Sequence, residues 1–296
     1  MKRIVLGSRG SALARAQTGI VAEMLQARGM EVRVEILATR GDRETAVPVS
    51  ALGGKGLFTE ELEEALLAGR VDAAVHSLKD LPTQATRGLL VAAVPRREEW
   101  RDALVSRHGG GLAGLPQGAT VGTSSLRRQA LLRHSRKDLC VVEMRGNVDT
   151  RLQKVAAGEL DAVVVAAAGL VRLGRADAIA SLLEFLPAPG QGALAVQAEA
   201  DRKEVLEAVR PLHHADTDEC VQAERALLAA LEGGCTVPVG ALAVQEGARL
   251  FLRGLVAAPD GSRVLLAEAR GEDPHEVGWD VARRLRRQGA EEILRA

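Results

Sequence analysis

The sequence predicts an α/β protein: two domains of alternating strands and helices, followed by a small α+β domain with an antiparallel three-stranded sheet. Through most of the 296 residues, short apolar runs alternate with segments of helical periodicity, a pattern typical of sheets covered by helices. From about residue 211 the pattern changes to a helix at residues 220–231, followed from residue 239 by three alternating strands joined by glycine-containing turns. We therefore expect domain 1 at residues 1–98 and 193–210, domain 2 at 99–192 and domain 3 at 211–296.

The composition favours a soluble cytoplasmic protein and argues against two kinds of partner. Thirty-nine Lys and Arg residues balance 39 Asp and Glu residues, and aromatic residues make up 2% of the chain. A nucleic-acid binder needs excess positive charge and stacking platforms, so no nucleic-acid partner is expected. No window reaches the ~18 apolar residues of a membrane span, and residues 1–30 lack the pattern of an export signal. No membrane partner is therefore expected.

The first elements of domain 1 form a β-α-β unit. Residues 3–7 are predicted as a strand, and apolar residues then recur at helical spacing from Leu13 to Leu25, with Ser11 as the N-cap. Residues 32–36 alternate as a second strand. Since such a unit needs a right-handed crossover, its two strands are expected to be parallel.

A polar stretch directly follows the apolar strand predicted at residues 73–75. It contains His76, Ser77, Lys79 and Asp80. In α/β sheets, ligands bind just beyond the carboxyl ends of the strands, so these four residues are expected at the mouth of a cleft. The alternative is a polar loop with an incidental Lys–Asp pair.

Domain 2 carries hydroxyl groups and arginines at two strand-to-helix turns, residues 121–128 and 145–151. From residue 121 to residue 151, seven Lys and Arg residues stand against three Asp and Glu residues. Helix N-termini with serine hydroxyls and arginines suit carboxylate or phosphate ligands. The alternative is a solvated basic helix face, which accounts for Arg133, Arg136 and Lys137 but poorly for arginines at strand ends.

The three cysteines differ in their surroundings. Cys140 lies in an apolar strand and Cys220 in a helix, so both are expected to be inert packing residues. Cys235 lies in a glycine-flanked loop, where it is either a reactive thiol or a structural residue. The spacing of the three is not that of metal ligands, so no metal is expected, and their odd number fits reduced thiols.

Taken together, motifs along nearly the whole chain resemble the porphobilinogen deaminase family. In order, they are Gly7-Ser8-Arg9 with Leu13-Ala14 and Gln17, Thr39-Arg40-Gly41-Asp42, Gly53-Gly54-Lys55-Gly56-Leu57-Phe58, His76-Ser77-Leu78-Lys79-Asp80-Leu81-Pro82, Gly122-Thr123-Ser124-Ser125-Leu126-Arg127-Arg128, Arg145-Gly146-Asn147-Val148-Asp149-Thr150-Arg151, Ala168-Gly169-Leu170, Gly190-Gln191-Gly192-Ala193 and Leu231-Glu232-Gly233-Gly234-Cys235. Ser8, Trp100 and Val171 depart from the family's commoner residues, and Val171 puts a charge contact beside Arg172 in doubt.

This resemblance implies a fold and a reaction. Domains 1 and 2 would resemble the two lobes of a periplasmic binding protein around a cleft. The enzyme would add four porphobilinogen units head to tail onto a dipyrromethane cofactor, with loss of ammonia, and release hydroxymethylbilane by hydrolysis. Its partners would be porphobilinogen and the growing linear oligopyrrole, and we expect a monomer.

The resemblance also implies roles for individual residues. Asp80 would be catalytic, facing pyrrole N–H groups and a cationic intermediate, and Cys235 would carry the cofactor through a thioether. Cofactor contacts are implied for Ser77, Lys79, Thr123, Ser125, Arg127, Arg128, Arg145 and Gly146. Substrate contacts are implied for Arg9, Lys55, Phe58, Arg145, Arg151, Arg172 and Gln191, with residues 53–58 as a mobile loop over the cleft.

A pure binding module is the alternative that also fits two α/β lobes, although it leaves Cys235 without a role. Incubation with porphobilinogen separates the two hypotheses, because only the enzyme consumes the compound and releases ammonia.

Overall fold

A computed structural model describes residues 2–39, 59–231 and 237–295 of the chain. The strands are β1 (Arg3–Arg9), β2 (Glu31–Leu37), β3 (Ala73–Ser77), β4 (Leu89–Ala93), β5 (Asp102–Ser106), β6 (Thr120–Gly122), β7 (Cys140–Val142), β8 (Ala162–Ala166), β9 (Ser181–Leu183), β10 (Leu194–Glu199), β11 (Val239–Glu246), β12 (Arg249–Ala257) and β13 (Val264–Gly271). The α-helices are α1 (Ala12–Gln26), α2 (Glu60–Leu67), α3 (Leu126–Ser135), α4 (Val148–Ala156), α5 (Ala167–Arg172), α6 (Lys203–Val209), α7 (Ala215–Ala230), α8 (Pro274–Arg287) and α9 (Ala290–Arg295).

The chain divides into two compact units, residues 1–98 with 193–218 and residues 99–192 with 219–296. The finer division into three domains stays a prediction. In the part of the chain that the structure describes, no helix combines the length and apolar character needed to cross a bilayer.

The first unit is a five-stranded sheet of order β2-β1-β3-β10-β4. The β-α-β prediction is confirmed, because β1 pairs in parallel with β2 and α1 begins at Ser11, whose Oγ accepts a hydrogen bond from Ala14 N at 3.2 Å. β10 runs antiparallel to both of its neighbours. Its first residue, Leu194, pairs with Ser77 at the end of β3, so the chain enters this sheet at the edge where the parallel strands finish.

The second unit contains a sheet of order β7-β6-β8-β5-β9 with the same pattern of directions. β6 is parallel to β7 and β8, and β5 is antiparallel to β8 and β9. The turn after β6 leads to α3, capped by Ser125, and the loop after β7 leads to α4, capped by Asn147. Since β6 and β7 are parallel, both arginine-bearing turns lie at one edge of this sheet.

A three-stranded antiparallel sheet, β11-β12-β13, completes the second unit. A core that includes Leu227, Leu252, Val281 and Leu285 packs it against helices. The predicted fold class, α/β with a small antiparallel α+β region, is confirmed.

The surroundings of two cysteines are also visible. Cys220 is buried in α7, as predicted, but Cys140 is exposed, so its prediction as a packing residue was wrong. The reason is the strand order, because β7 lies at the edge of its sheet, where an apolar sequence does not ensure burial.

Candidate active site

In the first unit, the residues after β3 lie at the carboxyl edge of the sheet. β3 ends at Ser77 and passes into one turn of 3-10 helix, Leu78–Asp80. Gln17 Nε2 on α1 donates to Ser77 Oγ at 2.8 Å, and Leu78 N donates to the Ala193 carbonyl oxygen at 3.0 Å. These two contacts anchor the start of the turn, which places Lys79 and Asp80 half-exposed at the sheet edge.

His76 does not belong with these exposed groups, so the expectation that it lies at a cleft mouth was wrong. Successive strand residues point to opposite faces of a sheet. Because Ser77 contacts α1, His76 faces the other side, where it is buried. Burial lowers the pKa of His76 to about 4, and the charge of Arg9 at the end of β1 lowers it as well. The imidazole is therefore neutral at pH 7.

This burial predicts an acid-sensitive fold. The unfolded chain binds a proton at His76 below its ordinary pKa of 6.5, whereas the folded chain binds one only near pH 4. The neutral, buried His76 therefore makes its full contribution to the free energy of unfolding above pH 6.5. About 3 kcal/mol of that free energy is lost as the pH falls to 4. Chemical denaturation of wild type and His76→Gln at pH 7, 6 and 5 measures this loss. The free energy of unfolding of the variant should depend less steeply on pH than that of the wild type. A matched His275→Gln variant, which changes an exposed histidine, should keep the wild-type dependence; equal slopes in all three proteins would contradict the prediction.

In the second unit, a buried ion-pair network connects β5 to α3. Asp102 is completely buried, and its Oδ2 accepts from Arg127 Nη1 at 2.7 Å while Oδ1 accepts from Arg128 Nε at 2.9 Å. Gln191 Nε2 donates to the same Oδ1 at 2.9 Å. Although burial raises the pKa of Asp102, the two guanidinium groups hold it well below its usual range. Asp102 is therefore a charged carboxylate shared by two arginines.

Arg151 lies close to this network and has neutral partners in the described part of the chain. Its Nε donates to the Gly146 carbonyl oxygen at 2.9 Å and its Nη2 to Ser124 Oγ at 3.3 Å. Gly146 has a φ of 114°, a conformation that favours glycine. Burial, together with the charges of Arg128 and Arg145, lowers the pKa of Arg151 to about 10. Arg151 nevertheless stays charged at neutral pH.

Other predicted site residues have local roles in the structure. Ser125 Oγ caps α3 by accepting from Arg128 N at 3.4 Å, and Thr123 Oγ1 accepts from Ser125 N at 3.3 Å. Arg172 Nη2 donates to the Gly192 carbonyl oxygen at 2.6 Å. Gln191 is completely buried. Lys55, Phe58, Cys235 and most of the motifs at residues 39–42 and 53–58 lie outside the described residues.

Asp102 is the site residue that sequence reasoning missed. It precedes an apolar run, so it reads as the polar start of a strand. The signal in the sequence was a carboxylate directly before an apolar strand. If such a carboxylate is buried, it needs cationic partners. Neither Arg127 nor Arg128 is close to it in the sequence.

The guanidinium groups of this network suit a ligand with several carboxylates. Among the described residues, one carboxylate, that of Asp102, bonds to Arg127 and Arg128. The buried Arg127 Nε has no hydrogen-bond partner in this part of the chain. Buried cationic groups in excess of their internal counter-charge favour an anionic ligand. An α/β fold with such an arginine site is typical of enzymes and binding proteins whose ligands carry several carboxylates.

Comparison with known proteins gives the family. The model named "Porphobilinogen deaminase, dipyromethane cofactor binding domain" matches residues 4–207, and that of the family's C-terminal domain matches residues 219–287. Porphobilinogen deaminase of Rubrobacter xylanophilus is 51% identical over 294 residues, covering 99% of this chain and 96% of the relative. That of a Roseiflexus species is 49% identical over 298 residues, covering 98% of each. A nutrient-binding protein of Burkholderia cenocepacia bound to methionine is similar in structure, with a TM-score of 0.44 and 15% identity over 73% of this chain and 94% of the other.

The chain belongs to the porphobilinogen deaminase family. The members of this family are hydroxymethylbilane synthases, transferases of tetrapyrrole biosynthesis, and the family uses a dipyrromethane cofactor.

Proposed function

We propose that this chain adds four porphobilinogen units head to tail onto a dipyrromethane carried by Cys235, and then releases hydroxymethylbilane by hydrolysis. The observation that carries this proposal is the buried arginine cluster of the second unit, in which Arg127 and Arg128 share the carboxylate of Asp102. We further propose that the enzyme works as a monomer in the cytoplasm.

The arginines would hold the acidic side chains of the growing oligopyrrole. Each porphobilinogen carries an acetate and a propionate, so negative charge accumulates with every unit added. Arg128 and Arg145 lie close enough to Arg151 for their charges to affect it, and each guanidinium can pair with a carboxylate through two parallel hydrogen bonds. When bound, the dipyrromethane supplies the acceptor pyrrole for the first addition.

Asp80 would act on the reacting nitrogen atoms. It lies at the end of the 3-10 turn after β3, half-exposed at the sheet edge. A carboxylate there can accept hydrogen bonds from pyrrole N–H groups and stabilise the positive charge that develops as porphobilinogen loses ammonia.

Incubation of the purified chain with porphobilinogen tests the function. We expect one ammonia for each porphobilinogen consumed, and a linear tetrapyrrole product identified by mass spectrometry. Binding of porphobilinogen without its consumption would instead support the binding module.

The arginine cluster gives a second expected result. Losing a buried charge-assisted carboxylate contact costs about 2–5 kcal/mol, so Arg151→Leu should stall elongation at intermediates visible by intact mass after substrate addition. Lys154→Leu is the matched control, because Lys154 is a basic residue on the same helix and pairs with Glu159. Wild-type turnover of Arg151→Leu, with no stalled species, would remove Arg151 from the binding site.

A further inference from the structure

Asp102 holds both arginines of the pair from one buried position. The exposed fraction of its side chain is 0%, against 2% for Arg127 and 9% for Arg128. Arg127 Nη1 also donates to the Leu186 carbonyl oxygen at 2.8 Å, and Arg128 Nη1 donates to that of Val164 at 3.2 Å. The two guanidinium groups are thus directed by partners on several sides.

Gln191 is the second anchor of Arg128. Its Oε1 accepts from Arg128 Nη2 at 3.3 Å, while its Nε2 donates to Asp102 Oδ1 and, at 2.8 Å, to the Trp100 carbonyl oxygen. The amide therefore joins the carboxylate and the guanidinium. This leaves Arg128 little freedom to rotate.

The charges of this network do not balance. Within the part of the chain that the structure describes, one carboxylate faces two guanidinium groups, so this group of side chains is positive although nearly all of it is buried. Burying charge is costly even in pairs, and an apolar replacement of similar volume is often as stable. A network that served only to join β5 to α3 would need one arginine. The charge of the second arginine would be neutralised if an anionic ligand bound to it.

We propose that Asp102 is a positioning residue, which holds Arg127 and Arg128 in the orientation in which they receive carboxylates of the cofactor and the growing oligopyrrole. Gln191 assists by fixing Arg128. This inference rests on the proposed function, because it assumes that Arg128 contacts the ligand.

Asp102→Asn tests the inference, because it keeps the shape of the side chain and removes its charge. Displacement of a binding group by about 1 Å can cost a hundredfold, so we expect the KM for porphobilinogen to rise about tenfold to a hundredfold. We also expect part of the purified chain to lack the added mass of the cofactor. A purely structural role would lower the fraction of folded, active molecules and hence kcat, but it would leave the KM of the folded molecules unchanged.

Two further variants make the result independent of folding. Gln191→Leu leaves the ion pairs of Asp102 with both arginines in place and should also raise the KM for porphobilinogen, by a smaller factor. This variant therefore tests the inference even if Asp102→Asn does not fold. Asp161→Asn is the matched control, because Asp161 in the same unit bonds to Arg107 and His108 at a more exposed position. It should keep wild-type KM and full cofactor loading.

The outcomes separate this inference from the proposed function. If Arg128→Leu shows wild-type KM and loading, the arginine has no ligand role and the proposed function of the cluster is wrong. If Arg128→Leu is impaired while folded Asp102→Asn and Gln191→Leu both behave as wild type, the positioning role alone is overturned.

Discussion

Replacement of Asp80 by Asn is expected to lower turnover by about a thousandfold in a protein that still folds and carries its cofactor. The variant keeps the size of the side chain and removes its negative charge. Because Asp80 lies in a half-exposed turn, the fold should not depend on that charge. Steady-state turnover, circular dichroism and intact mass together measure the three expectations.

The expected size follows from the charge that develops during the reaction. Loss of ammonia leaves a cationic methylene-pyrrolenine, and its coupling to the next pyrrole again produces positive charge before a proton departs. A fixed carboxylate favours these states over the neutral pyrrole. At about 4 Å and an effective dielectric constant near 20, the attraction is worth roughly 4 kcal/mol.

Asp80→Glu is the control for the charge hypothesis. It retains the carboxylate but displaces it by one methylene, so a small residual activity above that of the Asn variant is expected. Near-normal turnover of Asp80→Asn with intact cofactor would instead mean that Asp80 only holds the turn in place.

The second large effect concerns Cys235. The purified protein should weigh more than its sequence by one dipyrromethane, and Cys235→Ser should lack this mass and be inactive. The reason is chemical, since a thioether requires the sulfur and a serine hydroxyl is a much weaker nucleophile. Intact mass and peptide mapping measure the addition and its position.

The two other cysteines are suitable controls because their surroundings differ. Cys140 is exposed and Cys220 is buried, so Cys140→Ser asks whether exposure of a thiol is sufficient for attachment. Both serine variants should keep the added mass. An addition found on Cys140, or an active enzyme without any addition, would contradict the assignment to Cys235.

Local patterns in the sequence determined the elements of the fold and part of the candidate site. Strand alternation, helical periodicity and capping by Ser11 depend on residues within a few positions of one another, so they are readable before folding. Parallel pairing of β1 and β2 follows from connection geometry. Asp80 was predicted as a site residue because it lies in the polar stretch after a strand and belongs to a motif.

The tertiary structure decided what depends on distant contacts. It inserted β10 as an antiparallel strand between β3 and β4, exposed Cys140 on an edge strand and buried His76. It also joined Asp102 to Arg127 and Gln191, which are 25 and 89 residues away in the chain. Burial and charge pairing are properties of the packed chain. The sequence alone therefore did not show which arginines are held by buried partners and which are solvated, because those partners come from distant parts of the chain.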